Sequence, residues 1–345
     1  MSSNLTAVTA ATEADEQLTS LTEPPMPTGP VRKSKRAAGF FGLLTQNRKA
    51  TVGTIIVVFY LTLAVIGPWV APYDATEIVG RRHTPPSADH WFGTDGSGKD
   101  VLSQTIVGTR LSLATGLIVG AITTIAGIII GMSSGYFRGK VDDILSTLTN
   151  VVLIIPQLPL LLVLAAFLPA GFWSIIFVLS VTGWAWGARV FRSQTMSLRE
   201  KDFVASAVVA GESKPRIILR EILPNMMSIV VAGFLGAVNY AIGAQAGLEF
   251  LGLGNPSNIS WGTNLYWAQN NAALLVGAWW TLIPSGLSIA LVAFGFSMIN
   301  YAIDEVTNPR LRSQRQTAAI LKGLPRKVRD SRSTPVIHDI SEIAR

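Results

Sequence analysis

Residues able to do chemistry are sparse in this chain, and their spacing limits what they could do. None of the 345 residues is Cys, which excludes disulfides, thiolate-bound metals and thiol catalysis. The three His, at positions 83, 90 and 338, are scattered and share no ligand spacing. Gly93, followed by Gly98-Lys99, fits most of a phosphate-binding loop. Asp100 nevertheless stands where Ser or Thr should hold magnesium, and no strand is predicted before it. What remains are polar groups inside apolar runs: Asn150, Asn239, Gln245, Glu249 and Asn300. Such groups are costly in hydrocarbon and often functional there, so an intramembrane enzyme is one reading to weigh. Asn and Gln are poor acid–base groups, and Glu249 has no visible His or second carboxylate to work with.

Whatever these groups do, apolar helices must position them. Hydrophobic residues make up 49% of the chain, charged residues 14%, and the mean hydropathy is +0.41, a balance that implies several membrane spans rather than a soluble core. Six runs are long enough to cross a hydrocarbon core of ~30 Å at about 1.5 Å per residue. They are expected near Ala50 to Ala71, Leu111 to Met132, Leu145 to Leu168, Trp173 to Arg189, Met226 to Leu248 and Leu275 to Ile303. Pro156 and Pro159 should kink the third, and Asp74 to Thr109 reads as a long loop.

Charge sets the orientation. Of the 28 Lys and Arg, 24 fall in the two ends and alternate loops, at residues 1–49, 135–143, 189–224 and 304–345. Arg81, Arg82, Lys99 and Arg110 are the remainder. The positive-inside rule therefore places both termini and the 189–224 loop in the cytosol. The net charge of +7 is mostly this orientation signal, and nucleic acid is not an expected partner. Residues 1–37 are polar and end in Arg32, Lys33, Lys35 and Arg36; they read as a disordered cytosolic tail whose basic cluster meets membrane lipid headgroups. Residues 313–345 read as a second, basic cytosolic tail.

One cytosolic stretch, Leu198 to Asn225, is too charged to cross a bilayer and too regular for a passive loop. Phe203, Val204, Ala207 and Val208, then Ile218 and Ile222, recur at helical spacing among Arg, Lys and Glu. Two short amphipathic helices are predicted, divided at Gly211, with Ser213 and Pro215 starting the second and Pro224 stopping it. A helix pair with one sticky face between membrane spans invites a partner, which a passive channel does not explain.

This stretch resembles the coupling loop of permease subunits of ATP-binding-cassette importers, Glu-Ala-Ala, three residues, Gly, then Leu-Pro twelve residues further. Ala205, Ser206 and Ala207 stand at the first triplet, with Ala in the acidic place, Gly211 at the Gly, and Leu223-Pro224 at the Leu-Pro. Four more elements resemble the oligopeptide and dipeptide group of these permeases: GTDGSGKDV at 93–101, GYFRGKVDD at 135–143, GLEFLGLG with SWG beyond it at 247–262, and NPRLR at 308–312. The resemblance runs in order over 38–312 and implies an all-α membrane protein of the type I importer permease fold, six spans forming half of a pore. It implies a second permease subunit, two cytosolic ATP-binding subunits, an extracytoplasmic binding protein and a prokaryotic plasma membrane. ATP would be bound by the partners, with no cofactor and no catalysis in this chain.

Peptide cargo is implied, although relatives carry oligosaccharides or nickel complexes; Trp261, Trp267, Trp279 and Trp280 could stack on sugars or form an interfacial belt. Asn239, Gln245 and Glu249 are the candidates for the pathway or its gate. The family usually has an acid at the position of Gln245 and Ser at that of Glu249, so the carboxylate has moved one helical turn. It could face the pathway, pair with the partner permease or cap a loop.

Sidedness is directly measurable in this Cys-free chain. A Cys at Ser97 is expected to react with a membrane-impermeant thiol reagent in intact cells, and a Cys at Ser213 only once the membrane is opened. The opposite pattern would invert the topology.

Overall fold

The structure, a computed structural model, describes residues 48–307, with side chains over 49–303. The tails expected at 1–37 and 313–345, and the element at 308–312, lie outside the described residues. Helix α1 is Arg48–Val70 and α2 Val101–Phe137; α3, Gly139–Ile154, and α4, Gln157–Phe167, follow, then α5, Phe172–Arg199. A tip of short segments comes next: α6, Asp202–Val209; α7, Lys214–Arg216; a π-helical turn, Ile217–Ile222; and α8, Leu223–Asn225. The described residues finish with α9, Met227–Phe250, α10, Trp261–Asn270, and α11, Ile283–Thr307. Extended pairing among the described residues is limited to one bridge, Thr94 to Asp100.

Among the described residues, five helical stretches are long and apolar enough to cross a membrane, and the α3–α4 pair makes six when its two bent parts count as one span. The bend is 87°, a break rather than the kink expected. Ile155 is driven extended (φ −69°, ψ 127°) by the proline that follows it, and Pro156 cannot donate to the helix behind it.

Some boundaries differ from the sequence expectation, and at α2 and α5 polar groups satisfied inside the protein account for it. α2 begins at Val101, not near Leu111, since Asp100 caps it and Ser103, Gln104, Thr105 and Thr109 are buried against neighbouring chain. α5 continues past Arg189 to Arg199, its arginines bonding to Asn150, to Asp142 and to the Tyr136 carbonyl. The last span starts at a 3-10 turn, Trp279–Thr281, and residues 275–278 lie outside it.

The most extensive helix contact among the described residues is that of α2 with α5. Gly127, Gly131 and Gly135 recur every four residues along α2 and so share one face. A Cβ added at Gly127 would sit 3.1 Å from the Ala188 nitrogen, at Gly131 it would overlap the Ala188 carbonyl oxygen, and at Gly135 it would lie 2.7 Å from the Arg192 oxygen. Within a membrane, where apolar burial between helices gains little over lipid, such backbone proximity supplies the dispersion contacts that hold spans together. At the Phe137 end a bidentate Arg192–Asp142 pair (2.6 and 2.7 Å) and Ser134 Oγ donating to Asp142 Oδ1 (2.5 Å) tie α2, α3 and α5.

Gly131→Val is therefore expected to force α2 and α5 apart and leave little folded protein in detergent, while Gly131→Ala gives an intermediate loss. Size-exclusion profiles of the purified variants measure this; a normal yield and elution of Gly131→Val would contradict the packing.

Candidate functional site

Three regions hold the predicted site residues, and the structure uses them differently. In the 93–101 loop, Gly93 (φ +68°) and Gly98 (φ +87°) turn the chain as a phosphate loop might. Its amides are already taken, however: Asp95 Oδ1 accepts from the Ser97 and Lys99 N–H groups (2.7 and 2.9 Å), and Oδ2 from Gln104. Asp100 accepts from the Ser103 N–H and hydroxyl at the start of α2, with His90 Nδ1 3.0 Å from its other oxygen. A loop that fills its own amides with carboxylate has no room for an anion. Just before it, the Thr76 hydroxyl and N–H hold the exposed Asp74 carboxyl below its usual pKa range.

Gln245 and Glu249 also turn inward. Glu249 is 3% exposed; Gln245 Nε2 donates to one of its oxygens (3.0 Å) and Ser260 Oγ to the other (2.5 Å). Ser260 in turn caps α10 through the Thr263 N–H. This is the geometry of the loop-capping alternative: the carboxylate pins the 251–260 turn to the end of α9. Asn239 is half-buried and is not drawn into this network. Trp261 is fully buried, its indole N–H donating to the Thr105 carbonyl, so it cannot stack on a sugar. Trp280 likewise donates to the Thr94 carbonyl, and Trp279 stays exposed.

The tip carries the remaining candidates: Ala205, Ser206, Ala207, Gly211, Leu223 and Pro224. α6 ends where Gly211 takes φ +78°, with Gly211 N–H bonding to Val208 O and Glu212 N–H to Ala207 O. A residue with a side chain would be strained there, since the left-handed region favours glycine. Ser213 is extended and begins the next segment with Pro215 in its first turn, but its hydroxyl makes no cap bond. Leu223 N–H reaches back five residues to Ile218 O, so the helix is wide just before Pro224. Contrary to the expectation that Pro224 stops the helix, it sits inside α8, and the break falls at Met226 (φ −113°, ψ 10°). A proline lacks the N–H that a regular turn requires, and a π turn ahead of it is a way to carry the chain past.

Packing decides which face is free. Val204, Ile217, Ile222 and Met226 are buried against Met132, Tyr136 and Phe191, the adjoining ends of α2 and α5. The apolar stripe read from spacing is thereby split: Val204 turns inward, with Phe203 and Ala207 half-buried, while Val208 is exposed together with Ala205, Ser206, Val209 and Ala210. The outward face is small and apolar, and Val209 is 89% exposed.

The family described as binding-protein-dependent transport system inner membrane component matches residues 127–313, more than half of the chain and all of the tip. The chain belongs to this family. The N-terminal TM domain of oligopeptide transport permease C matches residues 40–86 of the permease. The dipeptide transport system permease protein DppC of Bacillus subtilis is 33% identical to it over 78% of this chain and 84% of that one. The oligopeptide transport system permease protein OppC of the same organism is 32% identical over 77% and 87%. A structure titled as inward-facing conformations of the MetNI methionine ABC transporter overlays 59% of this chain and 94% of its own at a TM-score of 0.48 and 18% identity. The permease is a multi-pass inner-membrane protein of the type I importer permease fold.

Two network residues, Asp142 and Arg192, were not singled out from sequence; the acid pair Asp142-Asp143 beside a predicted span was the signal available. Removing the Glu249 carboxylate should cost stability before it affects transport. Glu249→Ala leaves the Ser260 and Gln245 donors unpaired and is expected to destabilise the purified permease by about 2–4 kcal/mol, with Glu249→Gln losing less than half of that. An unchanged thermal midpoint for Glu249→Ala would argue against the pinning role.

Proposed function

We propose that this permease is one of two membrane subunits of an ATP-driven importer of di- and oligopeptides. The observation that carries this reading is the tip: short helices anchored by Val204, Ile217 and Ile222 to the ends of α2 and α5, with an outward face of Ala205, Ser206, Val208 and Val209. An exposed apolar face of small side chains suits close docking of a partner surface. The partner we infer is an ATP-binding subunit, two of which close on ATP and move the tip as a rigid body, tilting the spans between inward and outward openings. A second permease and an extracytoplasmic binding protein complete the importer. The peptide cargo is supported by the names of the relatives, two of which are dipeptide and oligopeptide permease proteins. Oligosaccharide or nickel-complex cargo has no comparable support.

ATP, in this reading, is bound by the partners, and the chain itself catalyses nothing. The self-filled 93–101 loop supports that division of labour. Both termini and the tip are cytosolic, supported by the distribution of Lys and Arg.

The test is to purify the permease from its membrane with whatever binds it, then reconstitute it and measure ATP-dependent uptake of labelled di- and oligopeptides. ATP-binding subunits should come with it, and peptide should enter. Gly211→Val should abolish uptake with insertion intact, because the strain falls on the joint, at about 1–3 kcal/mol, and no neighbour stands within 4 Å to be displaced. Gly211→Asn, which tolerates positive φ, should keep much of it. Normal uptake by Gly211→Val, or a complex without ATPase, would defeat the docking role.

A further inference from the structure

The break between α3 and α4 opens onto a cavity of about 670 Å3, walled by α2, α5 and α9. Thr123 and Thr124 lie about 20 Å along α2 from Phe137, and the α5 lining runs from about 12 Å (Phe191) to about 25 Å (Thr182) from Arg199, at ~1.5 Å per residue, so the cavity reaches from the floor of the tip toward the middle of a ~30 Å hydrocarbon core. None of the described residues lining it is charged. Several are polar all the same: Thr123, Gln157, Thr182, Tyr240 and Asn300. Gln157 Nε2 donates to the Tyr240 hydroxyl (2.8 Å), and the buried Asn300 carboxamide oxygen finds no donor. Val152 also lines the cavity, and its carbonyl has lost its helical donor because residue 156 is proline.

Irregular backbone and unpaired acceptors at this depth persist only against protein or an aqueous cavity, and discontinuous helices at mid-membrane are where carriers hold their cargo. Acyl chains cannot satisfy Gln157, Tyr240 or the Val152 carbonyl. A carboxamide and a phenol each donate and accept, which matches the alternating N–H and C=O groups of a peptide main chain whatever its side chains. Trp186, 69% exposed, adds an apolar wall for those side chains.

We propose that this cavity is the permease's contact surface for the main chain of a peptide in transit, held by Gln157 and Tyr240, and that its uncharged lining makes passage indifferent to side-chain charge. The inference rests on the peptide cargo proposed above, and it leaves charge discrimination to other components of the importer.

Gly236, on the cavity wall, offers a clean probe, because a Cβ there meets nothing within 4 Å. In the reconstituted complete importer, uptake of Ala-Asp-Ala, Ala-Ala-Ala and Ala-Lys-Ala is compared, each against the unmutated importer. Gly236→Asp should lower the acidic peptide at least tenfold relative to the basic one, and Gly236→Asn should leave that ratio unchanged. Gln157→Leu combined with Tyr240→Phe should lower all three by similar factors. In parallel, Gly236→Cys should react with a water-soluble thiol reagent. Equal effects of Gly236→Asp on all three peptides, or a double variant with full uptake, would overturn the proposal. So would an unreactive Gly236→Cys, the result expected if lipid or a segment of the partner permease fills the cavity. An importer that carries none of the three but does carry another solute would overturn the peptide assignment, here and in the proposed function, while the thiol reaction would still decide whether the cavity is an aqueous passage.

Discussion

Backbone approach along Gly127, Gly131 and Gly135 is the contact on which the rest of the permease depends. It lets α5 lie directly on α2 over the half of both helices nearest the tip, so that the Arg192 fork can meet Asp142 and the Ser134 hydroxyl. Larger residues along that stripe would move Arg192 out of reach of its carboxylate. The charge pair would then be left half-satisfied at the edge of a low-dielectric region, where an unpaired charge costs several kcal/mol, on the order of the protein's whole stability margin.

From that joint the tip takes its position. Phe191 and Met132, from the two facing helices, together make the apolar floor into which Val204, Ile217, Ile222 and Met226 insert. Close-packed interiors transmit displacement because side chains cannot slide past one another without opening voids. A push on the outward face of α6 would therefore reach α2 and α5 together. The cavity at the α3–α4 break is walled by those same two helices and shares Phe191 with that floor. In the proposed importer, docking surface and cargo surface are two ends of one packed unit.

At the other end of α2 the polar groups serve the fold. Asp100 caps the helix, a contribution of about 1 kcal/mol, and Asp95 closes the loop over it. Glu249 performs the corresponding task for the 251–260 turn, with Ser260 linking it to α10. Trp261 then seats α10 against α2 by its indole N–H and against Tyr60 of α1 by an edge-on ring contact at 5.6 Å. Carboxylates in or beside apolar runs, which on the sequence alone are natural candidates for a gate, here satisfy the amides and hydroxyls of turns that would otherwise be buried unpaired.

What the amino-acid sequence determined by itself was whatever depends on local pattern. Apolar runs of sufficient length and the spacing of Ala205–Ala207, Gly211 and Leu223-Pro224 suffice for a membrane-spanning permease with a helical tip, because hydropathy and backbone breaks act within a few residues of their cause. Three-dimensional contacts decided the rest. Whether Val204 or Val208 faces outward depends on the floor formed by Met132 and Phe191, far away in sequence. That Glu249 meets Ser260 depends on the hydroxyl reaching it across a turn, and the 87° bend at Pro156 is likewise seen only in three dimensions. A single sequence records which groups are available, while their pairing follows from the close packing of helices, and that packing rests on residues such as the α2 glycines whose only signal is the absence of a side chain.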